Sequence, residues 1–397
     1  MTATPMSQTP SVESSPLPHF HRHIRWMDVK EHLTGYLFIL PAVAVITVFG
    51  FFPIGYAVYM SFYNWRVRKG PYVGLANYDK AVGDWLGVLL FVVGFIILYL
   101  AYLAWDRAFK AHSDRAMLFR LGAAILLVGA WLVIPMGWER MIVEGDKDFL
   151  QSLPITLFYA LSTVPAELAI AMVLAYILFQ KIRGKEFFRM LYFLPYITPV
   201  VASAVVFRSM FSSRETSVAN QFLSALGLPV QKWLFESRPV NEILFGLKEL
   251  PGLLSGPSLA LVSIALFGVW TYVGYNTVIF LAGLGSIPPE LYEAAEIDGA
   301  GRLQLFRNIT LPLLSPVTFY LALIAFIGTF KAFNHIYVMR TPSAQGTVDV
   351  ASVTIFDTFY KANQYGYAAA QAILLFVIIL ALTFVQNKVF GEKVFYG

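Results

Sequence analysis

The stretch Ser286-IPPELYEAAEIDGAGRLQLFRNITLPLL-Ser315 separates two long apolar runs of this 397-residue chain. Pro289 suits the first turn of a helix, and Glu290 then lies at the helix N-terminus, where the dipole favours negative charge. Gly299 is suited to end that helix, and a second amphipathic piece leads to Pro312 at the mouth of the next apolar run. The stretch therefore predicts two short helices joined by a glycine bend.

The first predicted helix has a narrow face of small side chains. Leu291, Ala294, Ala295 and Asp298 lie three or four positions apart, so they share that face. Periodicity alone favours an amphipathic loop that lies on a membrane surface.

Charged residues are scarce in the chain as a whole. Hydrophobic residues make up 58% and charged residues 13% of the sequence, whereas an average soluble domain has about 25% charged residues. The net charge of +5 comes from clusters between apolar runs, so it predicts no nucleic-acid partner. The absence of cysteine excludes disulfides, cysteine-ligated zinc, iron–sulfur clusters and thiol nucleophiles.

Eight apolar segments are long enough to cross a bilayer as helices, for which about 20 residues are needed. They are Leu33–Phe62, Trp85–Trp105, Leu118–Gly137, Pro154–Phe179, Phe187–Phe211, Leu259–Gly283, Leu313–Val338 and Tyr367–Phe390. The sequence therefore predicts an all-α, polytopic membrane protein with about eight transmembrane helices in contact with lipid.

Basic residues mark alternate short loops, and cytoplasmic loops carry such an excess. The basic residues are Arg107, Lys110, Arg115 and Arg120, then Lys181, Arg183, Lys185 and Arg189, then Arg302 and Arg307, and finally Lys388 and Lys393. We expect both termini on that cytoplasmic side, with residues 1–32 forming a disordered tail and basic flank. Residues 212–258 form the longest predicted outer loop.

Nucleotide and metal motifs are missing from the sequence. The pair Gly184-Lys185 is followed by Glu186 and lacks the upstream glycine of a phosphate loop, so the chain is not expected to bind ATP. No HExxH occurs, and His112 and His335 stand apart from the N-terminal histidines, so no metal site is predicted.

The spacing within the quoted stretch resembles the EAA signature of the permease subunits of binding-protein-dependent ABC importers. Glu293, Ala294 and Ala295 are followed after three residues by Gly299, and then by Ile309, Leu311 and Pro312 at the family's spacing. Segments around residues 73–78, 187–201, 281–300 and 366–370 are similar to the sugar and glycerol-phosphate branch, which includes the larger permease subunit of the maltose importer.

The resemblance implies a MetI-like permease core in the bacterial inner membrane, with no enzymatic activity and no cofactor of its own. It implies a second permease subunit, two ATPase subunits that bind ATP and Mg²⁺, and an external solute-binding protein. The EAA loop of the family docks in a cleft of the ATPase. Carried over by position, Glu293, Ala294, Ala295, Asp298, Gly299, Ile309, Leu311 and Pro312 make or support that contact.

The sequence departs from the family in two places. Residues 84–150 add two spans where relatives have a short outer loop, and residues 339–347 stand where relatives have a Gly-Gly-Pro turn. We therefore expect four parts: the tail and flank at 1–32, a first span and outer loop at 33–83, an inserted helix pair at 84–150, and the permease core at 151–397 with the coupling loop at 284–312.

Polar residues within the predicted spans are candidates for the solute pathway, because such residues usually face a cavity or a neighbouring helix. Two groups have helical spacing: Tyr272, Tyr275 and Asn276, and Lys331, Asn334 and His335. The alternative is that they hydrogen-bond neighbouring helices, and Lys331 could also reach the outer interface. For Glu167, we favour an interhelical bond over a proton relay.

Two other function classes fit an all-α membrane protein. A membrane enzyme needs acidic or histidine residues grouped at one interface, and a proton-coupled transporter needs internal symmetry and several buried carboxylates. The sequence shows neither pattern. The substrate stays open between a sugar or oligosaccharide and glycerol phosphate.

Overall fold

Helices form almost all regular structure in the residues that the computed structural model describes, which are 26–110, 114–180, 183–247, 255–391 and 394. The predicted tail at 1–32 lies mostly outside these residues. Within them the β pairs are two isolated bridges, Tyr63 with Tyr72 and Pro239 with Ser258. The prediction of an all-α fold is confirmed.

The helices in the first part of the chain are α1 (Trp26–Ile46), α2 (Phe52–Ser61), α3 (Ala76–Val82), α4 (Trp85–Lys110), α5 (Asp114–Glu144), α6 (Lys147–Phe179), α7 (Lys185–Ile197), α8 (Val200–Met210), α9 (Val218–Ala225) and α10 (Val240–Phe245). Those that follow are α11 (Leu259–Gly285), α12 (Pro289–Ile297), α13 (Arg302–Leu305), α14 (Leu311–Leu313), α15 (Ser315–Phe330), α16 (Asn334–Met339), α17 (Ala351–Phe356) and α18 (Tyr365–Phe390). Between them lie π-helical turns at Thr47–Phe51, Phe306–Thr310 and Asp357–Lys361, and 3-10 turns at Trp233–Phe235 and Pro342–Ala344.

Two bent helix pairs account for the difference between six and eight spans. Six helices of the described residues are long and apolar enough to cross a membrane without a break: Leu33–Ser61, Trp85–Phe109, Ala116–Glu144, Lys147–Phe179, Leu259–Gly285 and Tyr365–Phe390. The pair α7 and α8 bends by 94°, and the pair Arg302–Leu313 and α15 bends by 61°. Counted as one span each, they bring the total to the predicted eight.

The predicted span Phe187–Phe211 is not one straight helix, because the helix breaks at Thr198 and Pro199. A residue before proline is disfavoured in the helical conformation, and Thr198 is extended with φ −66° and ψ 140°. Its hydroxyl donates to the Leu194 carbonyl at 2.8 Å. The same carbonyl accepts the Thr198 amide at 3.1 Å, so two bonds from Thr198 close the last turn of α7.

The predicted span Leu313–Val338 is also interrupted. The amides of Lys331 and Ala332 close tight turns onto Gly328 and Thr329 at 3.2 Å each, so α15 ends at Phe330. The carbonyl of Ala332 accepts a hydrogen bond from the Ser352 hydroxyl. The next helix, α16, starts at Asn334. The Ala332 carbonyl, which the break frees, therefore has a hydrogen-bond partner within the fold.

The chain divides into two compact units. The first, Met1–Tyr56, contains α1, the π-helical turn and the start of α2, and its described apolar side chains are largely exposed. The second, Ala57–Gly397, contains the remaining helices. Within the second unit α11 is the most deeply buried of the unbroken spans. In its most hydrophobic stretch 67% of the residues are buried, against 39% for α6.

Helices α4 and α5 form an antiparallel hairpin that is closed by small residues. The buried positions repeat every seven residues on each helix: Gly87, Gly94, Ala101 and Ala108, and Ala116, Ala123, Ala130 and Gly137. A Cβ on Gly137 would lie 2.5 Å from the backbone nitrogen of Phe91, so the backbones are in contact there. Small residues with this spacing permit close packing of membrane helices.

The hairpin contacts the rest of the second unit at one end. A Cβ on Gly83 would clash with the backbone nitrogen of Gly145, so the chain enters and leaves the hairpin at nearly the same point. Beside it the indole N–H of Trp85 donates to Asp79 at 2.5 Å, and Arg140 pairs with Asp84 at 3.3 Å. The adjoining apolar cluster contains Ala81, Val82, Met141, Phe149, Leu150 and Tyr367.

Candidate functional site

The loop between α11 and α15 folds as the sequence predicts, with a first helix that starts at Pro289 and has Pro288 at its N-cap position. α12 ends in a Schellman motif, in which the amide of Ala300 donates to the Ala295 carbonyl at 2.9 Å and that of Gly299 donates to Glu296 at 3.0 Å. Gly299 has φ +83°, which glycine adopts without strain. The glycine bend is therefore confirmed.

The predicted contact residues on this loop are accessible. Glu293, Ala294, Asp298, Gly299 and Leu311 are exposed, whereas Ala295, Ile309 and Pro312 are half-buried. Two apolar residues that the sequence reasoning missed are still more exposed, Ile297 at 86% and Leu303 at 78%. Each lies close to the glycine bend, Ile297 outside the spans and Leu303 at the start of the bent pair Arg302–Leu313 and α15. An acidic helix bordered by bare apolar side chains is suited to a protein partner.

Tyr292 connects α12 to the base of the following span. Its hydroxyl lies 3.0 Å from the hydroxyl of Thr310, which in turn donates to the Leu305 carbonyl at 3.3 Å. Thr310 is fully buried at the end of the π-helical turn Phe306–Thr310. The exposed helix α12 is thus connected to the start of the following span through the buried side chain of Thr310.

A second candidate region is a group of tyrosines on α7 and α11. The ring of Tyr196 stacks on Tyr275 with centroids 4.7 Å apart and lies edge-on to Tyr272 at 6.0 Å. The rings of Tyr196 and Tyr272 are about two-fifths exposed. We call Tyr196, Tyr272 and Tyr275 the tyrosine cluster. Sequence reasoning missed Tyr196, although its place beside Pro195 and Pro199 was a signal of a bend.

Gly274 places α7 against α11. A Cβ on Gly274 would clash with the Tyr192 carbonyl, so the two backbones touch at this position. Tyr196 is one helical turn beyond Tyr192 and therefore reaches the face of α11 that carries Tyr275. The cluster depends on this close approach.

Asn276 has a different environment from its tyrosine neighbours. It is buried at the contact between α11 and α6, next to the buried Glu167. This position is the one expected if Glu167 bonds to a neighbouring helix.

The predicted group Lys331, Asn334 and His335 does not form one helical stripe, because α15 ends before Lys331. Lys331 and Asn334 are exposed. His335 is buried, with its Nε2 2.7 Å from the Tyr159 hydroxyl and its ring 5.4 Å from that of Phe267. The exposed side chains of Lys331 and Asn334 thus do not share a surface with the buried His335.

An ionic network joins α17 and its flanks to Arg340, which lies in the segment 339–347 where the sequence predicts a departure from the family. Arg340 contacts Asp349 at 2.9 Å and Asp357 at 2.8 Å, beside a cavity of about 360 Å³ that Asp146 and Asp148 also line. Burial raises the pKa of Asp349, while the Gly346 amide and Arg340 oppose that rise. Among the described residues, no group of three or more His, Cys, Asp or Glu side chains is arranged to hold a metal ion.

The loop before α11 is organised by Asn220, which is fully buried. Its amide donates to the carbonyls of Arg214 and Gln231 at 3.0 Å each, and its oxygen accepts from Trp233 at 2.8 Å. Further along, Arg238 donates to both carboxylate oxygens of Glu236 and lowers the pKa of that group. The loop is therefore a folded surface.

Comparison with known proteins gives a family match over most of the chain. The profile of a family described as "Binding-protein-dependent transport system inner membrane component" matches residues 147–395. The match includes α12 and the tyrosine cluster and begins after the α4–α5 hairpin.

Individual relatives agree with that match. The arabinooligosaccharides transport system permease protein AraP of Bacillus subtilis is 29% identical over 317 residues, which cover 79% of this chain and 90% of AraP. The AraP of Halalkalibacterium halodurans is 32% identical over 273 residues, covering 68% and 78%. A crystal structure of a bacterial ABC transporter involved in the import of alginate has a chain of similar fold, with TM-score 0.61, 20% identity and coverage of 92% of this chain and 98% of that chain.

Proposed function

This chain belongs to the family of binding-protein-dependent transport system inner membrane components, and from that membership we propose that it forms half of the solute pathway of an ATP-driven sugar importer. As a member, it is a multi-pass inner-membrane permease and not itself an enzyme. The observation that carries the proposal is the exposed helix α12, which stands at the EAA position within the matched region.

Coupling to an ATPase is the proposed role of this loop. Glu293, Ala294 and Ala295 present a small acidic surface, and Gly299 turns the chain back toward the membrane. The exposed side chains of Ile297 and Leu303 would be covered by the partner. Two ATPase subunits, which bind ATP and Mg²⁺, and a second permease complete the assembly, and both termini lie in the cytoplasm.

The proposed substrate is a sugar or oligosaccharide. The two AraP relatives are named for arabinooligosaccharides, and the tyrosine cluster offers exposed aromatic faces on which sugar rings can stack. Lys331 and Asn334 are exposed polar groups that can bond hydroxyls. An external solute-binding protein delivers the solute, and the folded loop around Asn220 is a surface on which it can dock.

The α4–α5 hairpin is proposed to lie outside the pathway. It precedes the region matched by the family, and its contacts with the rest of the second unit are concentrated at one end. The permease core then comprises α6 to α18 together with the first span.

Copurification followed by transport tests this function. The tagged chain is extracted from its native membrane, and the copurifying subunits are identified and reconstituted in liposomes. We expect an ATPase and a second permease, and ATP-dependent uptake of arabinooligosaccharides supplied with the copurified binding protein. Uptake of glycerol phosphate in their place would reassign the substrate. Uptake driven by a proton gradient without ATP, or sugar-transfer chemistry without an ATPase, would contradict the proposal.

A further inference from the structure

The Tyr292 side chain contacts the rest of the protein through both its ring and its hydroxyl group. Its ring packs against a buried cluster that includes Phe280, Ile287 and Leu314, and its hydroxyl lies 3.0 Å from that of Thr310. Its neighbours Leu291 and Glu293 are exposed on the same helix. Tyr292 is therefore the anchor of α12 on the side opposite to its accessible face.

The hydrogen bonds along this anchor have a defined direction. A threonine hydroxyl has one proton, and that of Thr310 points to the Leu305 carbonyl at 3.3 Å. Thr310 must then accept the proton of Tyr292. The chain of bonds runs from α12 through Thr310 to Leu305, the last residue of α13.

This chain of bonds lies in the segment that leads into a bend. Thr310 closes the π-helical turn Phe306–Thr310, and the segment Arg302–Leu313 meets α15 at 61°, with Leu314 between them. The exposed helix is therefore joined to the segment just before the bend, besides its covalent connection through Gly299, and Leu314 at the bend belongs to the buried cluster against which Tyr292 packs.

The apolar part of the anchor extends toward the tyrosine cluster. Tyr292 and Tyr275 both pack against one continuous group of buried residues on α6, α11 and α15. A close-packed core of this kind transmits a displacement because its side chains cannot deform independently. A movement of α12 is thereby connected to the site where α7 meets α11.

We propose that Tyr292 is a positioning residue that makes α12 and the base of α15 move as one body, so that ATPase closure reaches the solute pathway. The proposal rests on the coupling function proposed above. Without the Tyr292–Thr310 hydrogen bond, α12 still docks on the ATPase but moves partly by itself. ATP is then hydrolysed without a matching transport step.

The test uses the complete purified importer in liposomes, with ATP hydrolysis and solute uptake measured on the same sample. Tyr292→Phe keeps the ring and removes the hydroxyl, and Thr310→Val removes the acceptor, whereas Thr310→Ser keeps it. Tyr176→Phe is a matched control, because the Tyr176 ring contacts Phe306 at 4.9 Å and its hydroxyl has no hydrogen bond recorded among the described residues.

In Tyr292→Phe and in Thr310→Val we expect uptake per ATP hydrolysed to fall about threefold to tenfold, the range that corresponds to one net hydrogen bond. ATPase copurification should stay at the wild-type level. Thr310→Ser should keep normal coupling. The double variant should be no worse than Thr310→Val alone, because Thr310→Val already removes the bond that Tyr292→Phe removes.

Two results would overturn the inference. One is an unchanged ratio of uptake to hydrolysis in Tyr292→Phe. The other is a parallel loss of both activities with protein abundance, which would reduce Tyr292 to a stabilising residue. Gly299→Asp separates this inference from the proposed function, since that variant should lose ATPase docking. If Gly299→Asp docks and transports normally, the coupling function itself fails.

Discussion

Gly274 of α11 lies directly against the carbonyl group of Tyr192 in α7, with no room between them for a Cβ atom. This contact fixes where the bent pair α7–α8 meets the central helix. It also brings Tyr196 over Tyr275 and so creates the tyrosine cluster.

Gly274→Ala should therefore push α7 away from α11. Overpacking of this kind usually destabilises a protein by about 1 to 3 kcal/mol, and we expect lower thermal stability together with reduced uptake. Gly285→Ala on the same helix is the control, because its Cβ would meet nothing within 4 Å. Thermal unfolding of the two variants in detergent gives the comparison, and equal midpoints would mean that α7 adjusts without strain.

Gly299 provides a second test through its backbone. Gly299→Ala must hold alanine at φ +83°, a left-handed conformation that costs roughly 1 to 2 kcal/mol. We expect weaker ATPase binding and a loss of uptake larger than the loss of protein. Gly301→Ala is matched to it, since Gly301 has φ −76°. Equal ATPase pull-down by both variants would show that the bend is not needed for docking.

Bulk on the accessible face of α12 should act more strongly. Ala294→Trp places a large ring on the exposed side of α12, where the partner approaches, so we expect ATPase pull-down and uptake to fall while the permease pair still assembles. Ser224→Trp, on the exposed helix α9 of the outer loop, should leave ATPase binding intact. Similar binding by both tryptophan variants would exclude α12 as the docking helix.

The proposed orientation can be measured because the chain has no native cysteine. Leu303→Cys and Val230→Cys both replace exposed side chains. In intact cells a membrane-impermeant thiol reagent should label the cysteine at position 230 and spare the one at position 303, which should react only after lysis. The reverse pattern would invert the topology.

The pH dependence of the outer loop follows from Glu236. Arg238 lowers the pKa of this carboxyl below its ordinary value of about 4.3. The contribution of the pair is therefore present above pH 4.3 and is lost as the pH falls through the lowered pKa. We expect amide exchange in residues 212–245, corrected for its intrinsic pH dependence, to accelerate in that acid range. Glu236→Gln should remove this acid-dependent part, and an unaltered pH profile in that variant would contradict the assignment.

Sequence patterns predicted the coupling loop well because its structure is decided locally. Proline at the start of α12 and glycine at its end fix those boundaries without help from distant residues. Hydropathy predicted the number of spans but not the breaks at Thr198 and Lys331, since apolar composition is the same in a straight and a bent helix. The carbonyl freed at Ala332 has its partner in Ser352, 20 residues later, which periodicity cannot reveal.

The tyrosine cluster was predicted only in part, because spacing along the chain cannot reveal a contact between two helices. Tyr272 and Tyr275 share a helix face, so spacing identified them, whereas Tyr196 joins them through the contact at Gly274. The exposure of Ile297 and Leu303 depends on which side of the loop faces the protein. The seven-residue repeat of small residues in α4 and α5 is present in the sequence, but its meaning follows only once the two helices are seen to pack against each other.

The contact between Gly83 and Gly145 also bears on how such a chain can change over generations. A segment whose two ends touch can be gained or lost by a single in-frame genetic event, since its removal leaves only a short gap for the chain to close. The seam of glycine and alanine gives the segment its own internal packing, so we expect selection on the hairpin to be largely independent of selection on the transport core. Substitutions should accordingly accumulate at different rates on the two sides of Asp146.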